Sequence, residues 1–279
     1  MARIGYVVVD VFTSEPLAGN QLAVFTDARE LDDATMHALA REMSFSESVF
    51  VLPPEADGDV RIRIFTPSTE LPFAGHPVLG AAFVLGQPLQ RTAIRLETGV
   101  GVVPVELERE GPRVVFGRMA QRVPTWAPCA EAAELLAALG VERSELPVEV
   151  YDNGPRHAYV ALADERAVAA LRPDLATLGR FELGASCFAR AGARWKVRTF
   201  LPGYGIDEDA AAGSAAGSLA VHLARHGWSA YGERIEIGQG AELGRPSTLY
   251  ACAEGEADAV ERVEVGGAAV VVARGEFRL

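Results

Sequence analysis

The segment Arg63-Ile64-Phe65-Thr66-Pro67, followed by Glu70 and by Ala74-Gly75-His76 leading into Pro77 to Leu85, returns later in the chain in altered form. Its counterpart is Arg198-Thr199-Phe200-Leu201-Pro202, then Glu208, then Ala212-Gly213-Ser214 leading into Ala215 to Leu223. Both copies read as a strand, a proline, an acidic loop, an Ala-Gly-polar turn and an apolar helix. The second loop is three residues longer, and the copies lie about 135 residues apart in a chain of 279. A repeat on that scale predicts two similar lobes, each with a central helix entered through a glycine loop. The start of a helix presents N–H groups without intrahelical partners and a partial positive charge. Two such starts pointing into one cleft would bind a carboxylate or stabilise an enolate.

Outward from the repeat, strand patterns dominate. Val60 to Ile64 alternates with period two, and Val103 to Leu107 and Arg234 to Ile237 do so less cleanly. Ile4 to Phe12 and Ala268 to Ala273 are more continuously apolar, the pattern of strands buried on both faces. Asp32 or Asp33 can cap a helix running to about Met43. Glu131 to Leu139 and Glu165 to Leu171 read as surface helices. Val123 to Pro128 carries two prolines and no periodicity, which marks a domain boundary.

Composition narrows the function. The formal net charge of -12 repels nucleic-acid phosphates and anionic lipid, so neither is an expected partner. No signal peptide and no membrane-length apolar run is read, and a cytoplasmic enzyme is the default. Cys129, Cys187 and Cys252 are widely spaced, which argues against a disulfide framework or a thiolate zinc site; they read as small buried residues. Lys196 is the only lysine, and its alternating surroundings suggest a solvated strand-face residue rather than a Schiff-base former. His222 and His226 are one helical turn apart, but no acidic ligand motif accompanies them, so no metal site is expected.

Further motifs carry a family resemblance. Glu70-Leu71-Pro72-Phe73-Ala74-Gly75-His76-Pro77 looks like a signature of the phenazine-biosynthesis PhzF family. Gly19-Asn20 with Ala23-Val24-Phe25, Ser46-Glu47-Ser48-Val49-Phe50-Val51, and Glu208-Asp209 with Gly213-Ser214-Ala215-Ala216-Gly217 resemble its other motifs. The likeness runs nearly end to end. Tyr151 to His157, Leu223 to Gly227, Pro124-Thr125-Trp126 and Gly244-Arg245-Pro246-Ser247 look like the phenazine-producing branch of that family.

The resemblance implies an α+β fold like diaminopimelate epimerase, with two pseudo-symmetric lobes, each a mostly antiparallel sheet wrapped round one helix. The lobes would span 1–120 and 125–279, with the last strand free to return to the first. It implies a proton-shifting isomerase that turns trans-2,3-dihydro-3-hydroxyanthranilate into the aminoketone precursor of phenazines. It also implies a homodimer and no cofactor. The family's catalytic residues fall on Glu47, His76, Asp209 and Ser214, and Ser46, Gly75 and Gly213 fall on substrate-binding positions.

The residues can be weighed beside that resemblance. Glu47 alone would read as a surface glutamate at a strand edge, whereas a proton shift needs a buried carboxylate poised near neutral pH. His76 is at a helix start, where the dipole disfavours imidazolium. Asp209 and Ser214 could simply cap the second helix. The family usually has Thr where this chain has Ala212, which removes a hydroxyl from the loop or from substrate contact. Racemases of the same fold use a cysteine just before each central helix; here those places are Ala74 and Ala212. A PhzF-like isomerase or epimerase acting on another small cyclic or amino acid is the alternative. A non-catalytic binder of small acids is a third reading, against which Glu47 and His76 weigh.

Overall fold

The computed structural model describes residues 3–279. The chain is α+β and divides into two compact units. The first runs to Ala120 and also holds Gly266–Leu279; the second is Gln121–Val265.

The first unit begins with β1 (Arg3–Val11), β2 (Asn20–Phe25), α1 (Asp33–Met43), β3 (Glu47–Leu52), β4 (Val60–Phe65) and β5 (Glu70–Leu71). It continues with α2 (Gly75–Gly86), β6 (Ala93–Thr98), β7 (Gly101–Glu110) and β8 (Arg113–Gln121). Asp32 starts α1 as expected, its carboxylate accepting from the Thr35 N–H. Strand β1 is antiparallel to β2, β2 parallel to β3, β3 antiparallel to β4, and β4 antiparallel to β5 but parallel to β6; β6, β7 and β8 then meander antiparallel. Helix α2 is the helix this sheet wraps: 11 of its 12 residues are buried, against β1, β2, β3, β6 and β7. A helix apolar all round has no face for water, so it can only be central. Gly80 lets it approach closely, since a Cβ there would meet Leu22 at 2.6 Å and Val11 at 2.8 Å. Helix α1 covers the other side of the sheet, where Met36 and Leu39 pack with Phe25, Phe50 and Phe65.

The second unit contains β9 (Thr125–Pro128), α3 (Ala132–Leu139), β10 (Glu149–Asp152), β11 (Arg156–Ala161), α4 (Glu165–Ala170), α5 (Leu175–Leu178), β12 (Gly184–Ala191) and β13 (Arg194–Leu201). After these come β14 (Ile206–Asp209), α6 (Gly213–Arg225), β15 (Ile235–Gln239), β16 (Ser247–Glu256) and β17 (Ala259–Gly267). The pairing sequence of the first unit recurs here. Strand β10 is antiparallel to β11, β11 parallel to β12, β12 antiparallel to β13, β13 antiparallel to β14 and parallel to β15, and β15 antiparallel to β16. The internal repeat is thus a repeat of strand order as well as of sequence, with α6 in the place of α2. The three extra residues of the second loop coincide with a 3-10 turn, Pro202–Tyr204. The last strand, β18 (Ala269–Arg278), pairs antiparallel with β1.

Both copies of the repeat brace their loop in the same way. Arg63 donates from Nε and Nη2 to the two carboxylate oxygens of Glu70, at 2.7 and 2.6 Å. Arg198 makes the same fork with Glu208, at 2.8 and 2.7 Å. A planar guanidinium matches a carboxylate in this two-bond geometry, which fixes direction as well as distance.

Three expectations are corrected. Residues 268–273 are half-buried to exposed rather than buried on both faces: apolar runs report β-propensity as well as burial. Lys196 is not solvated, because its Nζ sits 2.6 Å from Glu242 and its side chain is 16% exposed. Of the cysteines only Cys187 is buried, with its thiol pushed up to about 12 by desolvation, while Cys129 and Cys252 are partly exposed. Among the described residues, no helix is long and apolar enough to cross a membrane.

Candidate active site

Helix α1 ends in a left-handed Ser44, which turns the chain so that Glu47 is the first residue of β3. Glu47 is only 7% exposed. Burial raises its pKa from 4.5 to about 7, with the neighbouring Ser46 hydroxyl pulling partly back. Its Oε2 is buried without a hydrogen bond and lies 3.6 Å from His76 Nε2. His76 is the second residue of α2, after Gly75, and is 3% exposed. Asn20 completes the group, with Nδ2 3.3 Å from His76 Nδ1 and Oδ1 accepting from the Ser46 hydroxyl at 3.4 Å. That arrangement makes the Asn20 amide the donor to Nδ1, so the imidazole proton sits on Nε2, the nitrogen facing Glu47. Asn20, in the sequence only one residue of a motif, thus helps to set the tautomer of His76. The first unit therefore brings together a carboxylate able to exchange a proton near neutral pH and an imidazole N–H beside it.

In the second unit Asp209 ends β14, three alanines follow, and Gly213 and Ser214 open α6. Gln239 donates its amide to the Asp209 carbonyl at 2.8 Å, and Asp209 Oδ1 accepts from the Ala211 N–H at 3.3 Å. Neither Asp209 nor Ser214 is the helix cap. The N-cap is Ala212, which carries no side-chain hydrogen bond, so the capping reading is wrong. The N-cap of α2 is likewise an alanine, Ala74. The Thr usual in the family would sit at the N-cap position, where a hydroxyl can take up a backbone N–H; alanine leaves that N–H to another acceptor.

The first turn of α6 is held by side chains that sequence reasoning did not single out individually. Gln121 Nε2 donates to the Gly213 carbonyl at 2.9 Å, Asn153 Nδ2 to the Ser214 carbonyl at 3.0 Å, and Tyr159 Oη to the Ala215 carbonyl at 2.7 Å. His157 Nε2 lies 3.2 Å from Ser214 Oγ. The available signal was the period of β11, which puts His157 and Tyr159 on one face while Ala158 and Val160 enter the core on the other. Gly217 is needed one turn further on, since a Cβ there would collide with Gln121 and approach Val263 within 2.8 Å.

His222 and His226, for which no acidic partner was expected, do have one. Strand β10 brings Glu149 Oε2 to 3.3 Å from His222 Nδ1 and 3.0 Å from His226 Nε2. This is a group whose donor set could hold a metal ion. The same oxygen also accepts from Arg225 Nη1 at 2.8 Å and from the Tyr151 hydroxyl at 3.0 Å. The guanidinium of Arg225 thus already compensates the carboxylate oxygen that faces both imidazoles. Those partners, His222 first, hold the Glu149 carboxyl well below the usual carboxylate range.

Residues 9–275 match the family model for phenazine biosynthesis-like proteins. The chain belongs to the PhzF family. It is 54% identical over 275 residues to the trans-2,3-dihydro-3-hydroxyanthranilate isomerase of Pseudomonas aeruginosa, covering 98% of this chain and 99% of that one. A solved structure described as a predicted epimerase from the same species is 33% identical, with a TM-score of 0.84 over 98% of this chain and 99% of that chain. A probable proline racemase from Agrobacterium radiobacter shares the fold alone, at 11% identity and a TM-score of 0.68 over 99% of this chain and 93% of its own. Within this PhzF-family chain the racemase-like fold carries alanines, not cysteines, at both N-cap positions.

Proposed function

We propose that this protein is a trans-2,3-dihydro-3-hydroxyanthranilate isomerase that works by a proton shift without a cofactor, with Glu47 as acid and base. The observation that carries the mechanism is the burial of Glu47, which puts its pKa at about 7 beside the His76 N–H. The name and the 54% identity of the Pseudomonas aeruginosa relative support the substrate. Glu47 removes a proton from the ring carbon bearing the hydroxyl, the charge spreads along the conjugated diene, and Glu47 returns a proton elsewhere on the same system. One carboxylate can serve both steps: taking the first proton makes it the carboxylic acid that gives a proton back, and that second transfer restores the carboxylate. His76, Asp209 and Ser214, with Ser46 and the backbone at Gly75 and Gly213, are the polar groups that bind the amino, hydroxyl and carboxylate substituents and oppose developing charge. A homodimer belongs to the same reading, and the half-exposed run Val270 to Val272 on β18 is compatible with it.

Glu47→Gln tests the assignment. It keeps the size of the side chain but cannot accept the proton, so it should bind the aromatic analogue 3-hydroxyanthranilate nearly as well as the parent. Turnover, followed by loss of diene absorbance, should fall by about 10²–10⁴. Retention of more than about a tenth of parental turnover would show that another group is the base.

A further inference from the structure

His157 is 1% exposed and has no part in the proton shift described above. Its Nε2 lies 3.2 Å from Ser214 Oγ, while its Nδ1 is buried with no hydrogen-bond partner among the described residues. The two facts select a tautomer. A proton on Nδ1 would bury an N–H with nothing to receive it, an omission folded proteins rarely tolerate; a proton on Nε2 leaves only an unused lone pair on Nδ1, the smaller penalty. The nitrogen facing Ser214 is therefore the donor. The register of the sheet explains the setting of Nδ1. His157 pairs with Gly184 across the parallel β11–β12 ladder, and a Cβ at Gly184 would come within 2.8 Å of Nδ1 and 3.2 Å of Cε1. Glycine leaves room for the ring in this pose and offers Nδ1 no polar side chain. Burial also lowers the pKa of His157 to about 4, so the ring stays neutral through the neutral range.

We propose that His157 is a positioning residue that fixes the Ser214 hydroxyl as a hydrogen-bond donor to the substrate. This rests on the reading of Ser214 as a substrate-binding group. A serine hydroxyl has one proton and two lone pairs. With the His157 N–H directed into one lone pair, the proton of Ser214 points away from the imidazole and is offered to an acceptor, which a substrate carboxylate supplies. The opposite tautomer would draw that proton onto His157 and turn lone pairs towards the carboxylate, an arrangement that repels it.

Two measurements test this. In protein labelled with ¹⁵N-histidine, His157 should show a protonated Nε2 and an unprotonated Nδ1; the reverse pattern overturns the proposal whatever the substrate proves to be. In binding of 3-hydroxyanthranilate, His157→Phe keeps the bulk of a ring without the donor and should weaken affinity about tenfold. His157→Gln, whose amide N–H reaches the same region, should restore most of it. In a Ser214→Ala background His157→Phe should have little further effect. An equal loss in both backgrounds would mean that the ring acts through packing alone, and the proposal fails. If the parent protein does not bind the analogue, the substrate assignment falls, and the nitrogen spectrum still decides the role of His157.

Discussion

Burial disfavours charge, so at Glu47 and at His157 it acts in opposite directions. It raises the glutamate to about 7, where both protonation states are accessible, and lowers the histidine to about 4, where only the neutral form is. For Glu47 the proposed chemistry needs the ionised form to take a proton. The acid limb of kcat/KM should therefore fall near pH 7, and a limb at the ordinary carboxylate value of about 4.5 would remove Glu47 from the role. The same shift has a stability consequence. The folded state prefers Glu47 protonated, so its contribution is fully present below the unfolded pKa of 4.5 and is lost as pH rises through about 7. The difference amounts to about 3 kcal/mol. Glu47→Gln escapes that penalty, and its Tm advantage over the parent should grow between about pH 4.5 and about pH 7 and level off above that. A Tm difference that does not vary with pH would contradict the buried ionisation.

At the scale of elements, the two Arg–Glu forks share a geometry but not an environment. Arg198 and Glu208 have side-chain exposures of 7% and 11%, against 16% and 42% for Arg63 and Glu70. Arg198 also donates to the carbonyls of Val168, Ala169 and Leu171 at the end of α4, so it ties β13 to that helix. Removing one partner of a buried pair leaves an uncompensated charge out of water, whereas an exposed partner is replaced by solvent. Glu208→Ala should cost about 3 kcal/mol. Glu70→Ala should cost about 1 kcal/mol or less. Urea midpoints of the two variants test this, and equal losses would show that burial does not decide the worth of the fork.

For the whole molecule, the proposed reaction asks nothing of a metal. Among the described residues, the one group of three or more ligand-type side chains, Glu149, His222 and His226, already has the Arg225 guanidinium on its carboxylate. Lys196, the single lysine, is engaged with Glu242. Turnover should therefore survive exhaustive chelation, with no nucleotide or pyridoxal added. Activity lost to a chelator and restored by a divalent ion would overturn cofactor independence and direct attention to the Glu149 cluster.

What was legible in the sequence was whatever repeats locally. Strand alternation, the Asp32 cap, the apolar run of the first central helix and the twofold order of strand, loop and helix follow from short-range steric and hydrophobic patterns, which a linear reading can see. The motif likeness likewise pointed to Glu47, His76, Asp209 and Ser214 by position. Only the tertiary structure decided which groups those residues meet. His157 reaches Ser214 across 57 positions, Asn20 reaches His76 across 56, and Glu149 reaches His226 across 77. Such pairs depend on strand register and on which face of a strand looks at a helix. The pKa values follow from the same source, because desolvation is a property of the packed neighbours and not of the residue that titrates.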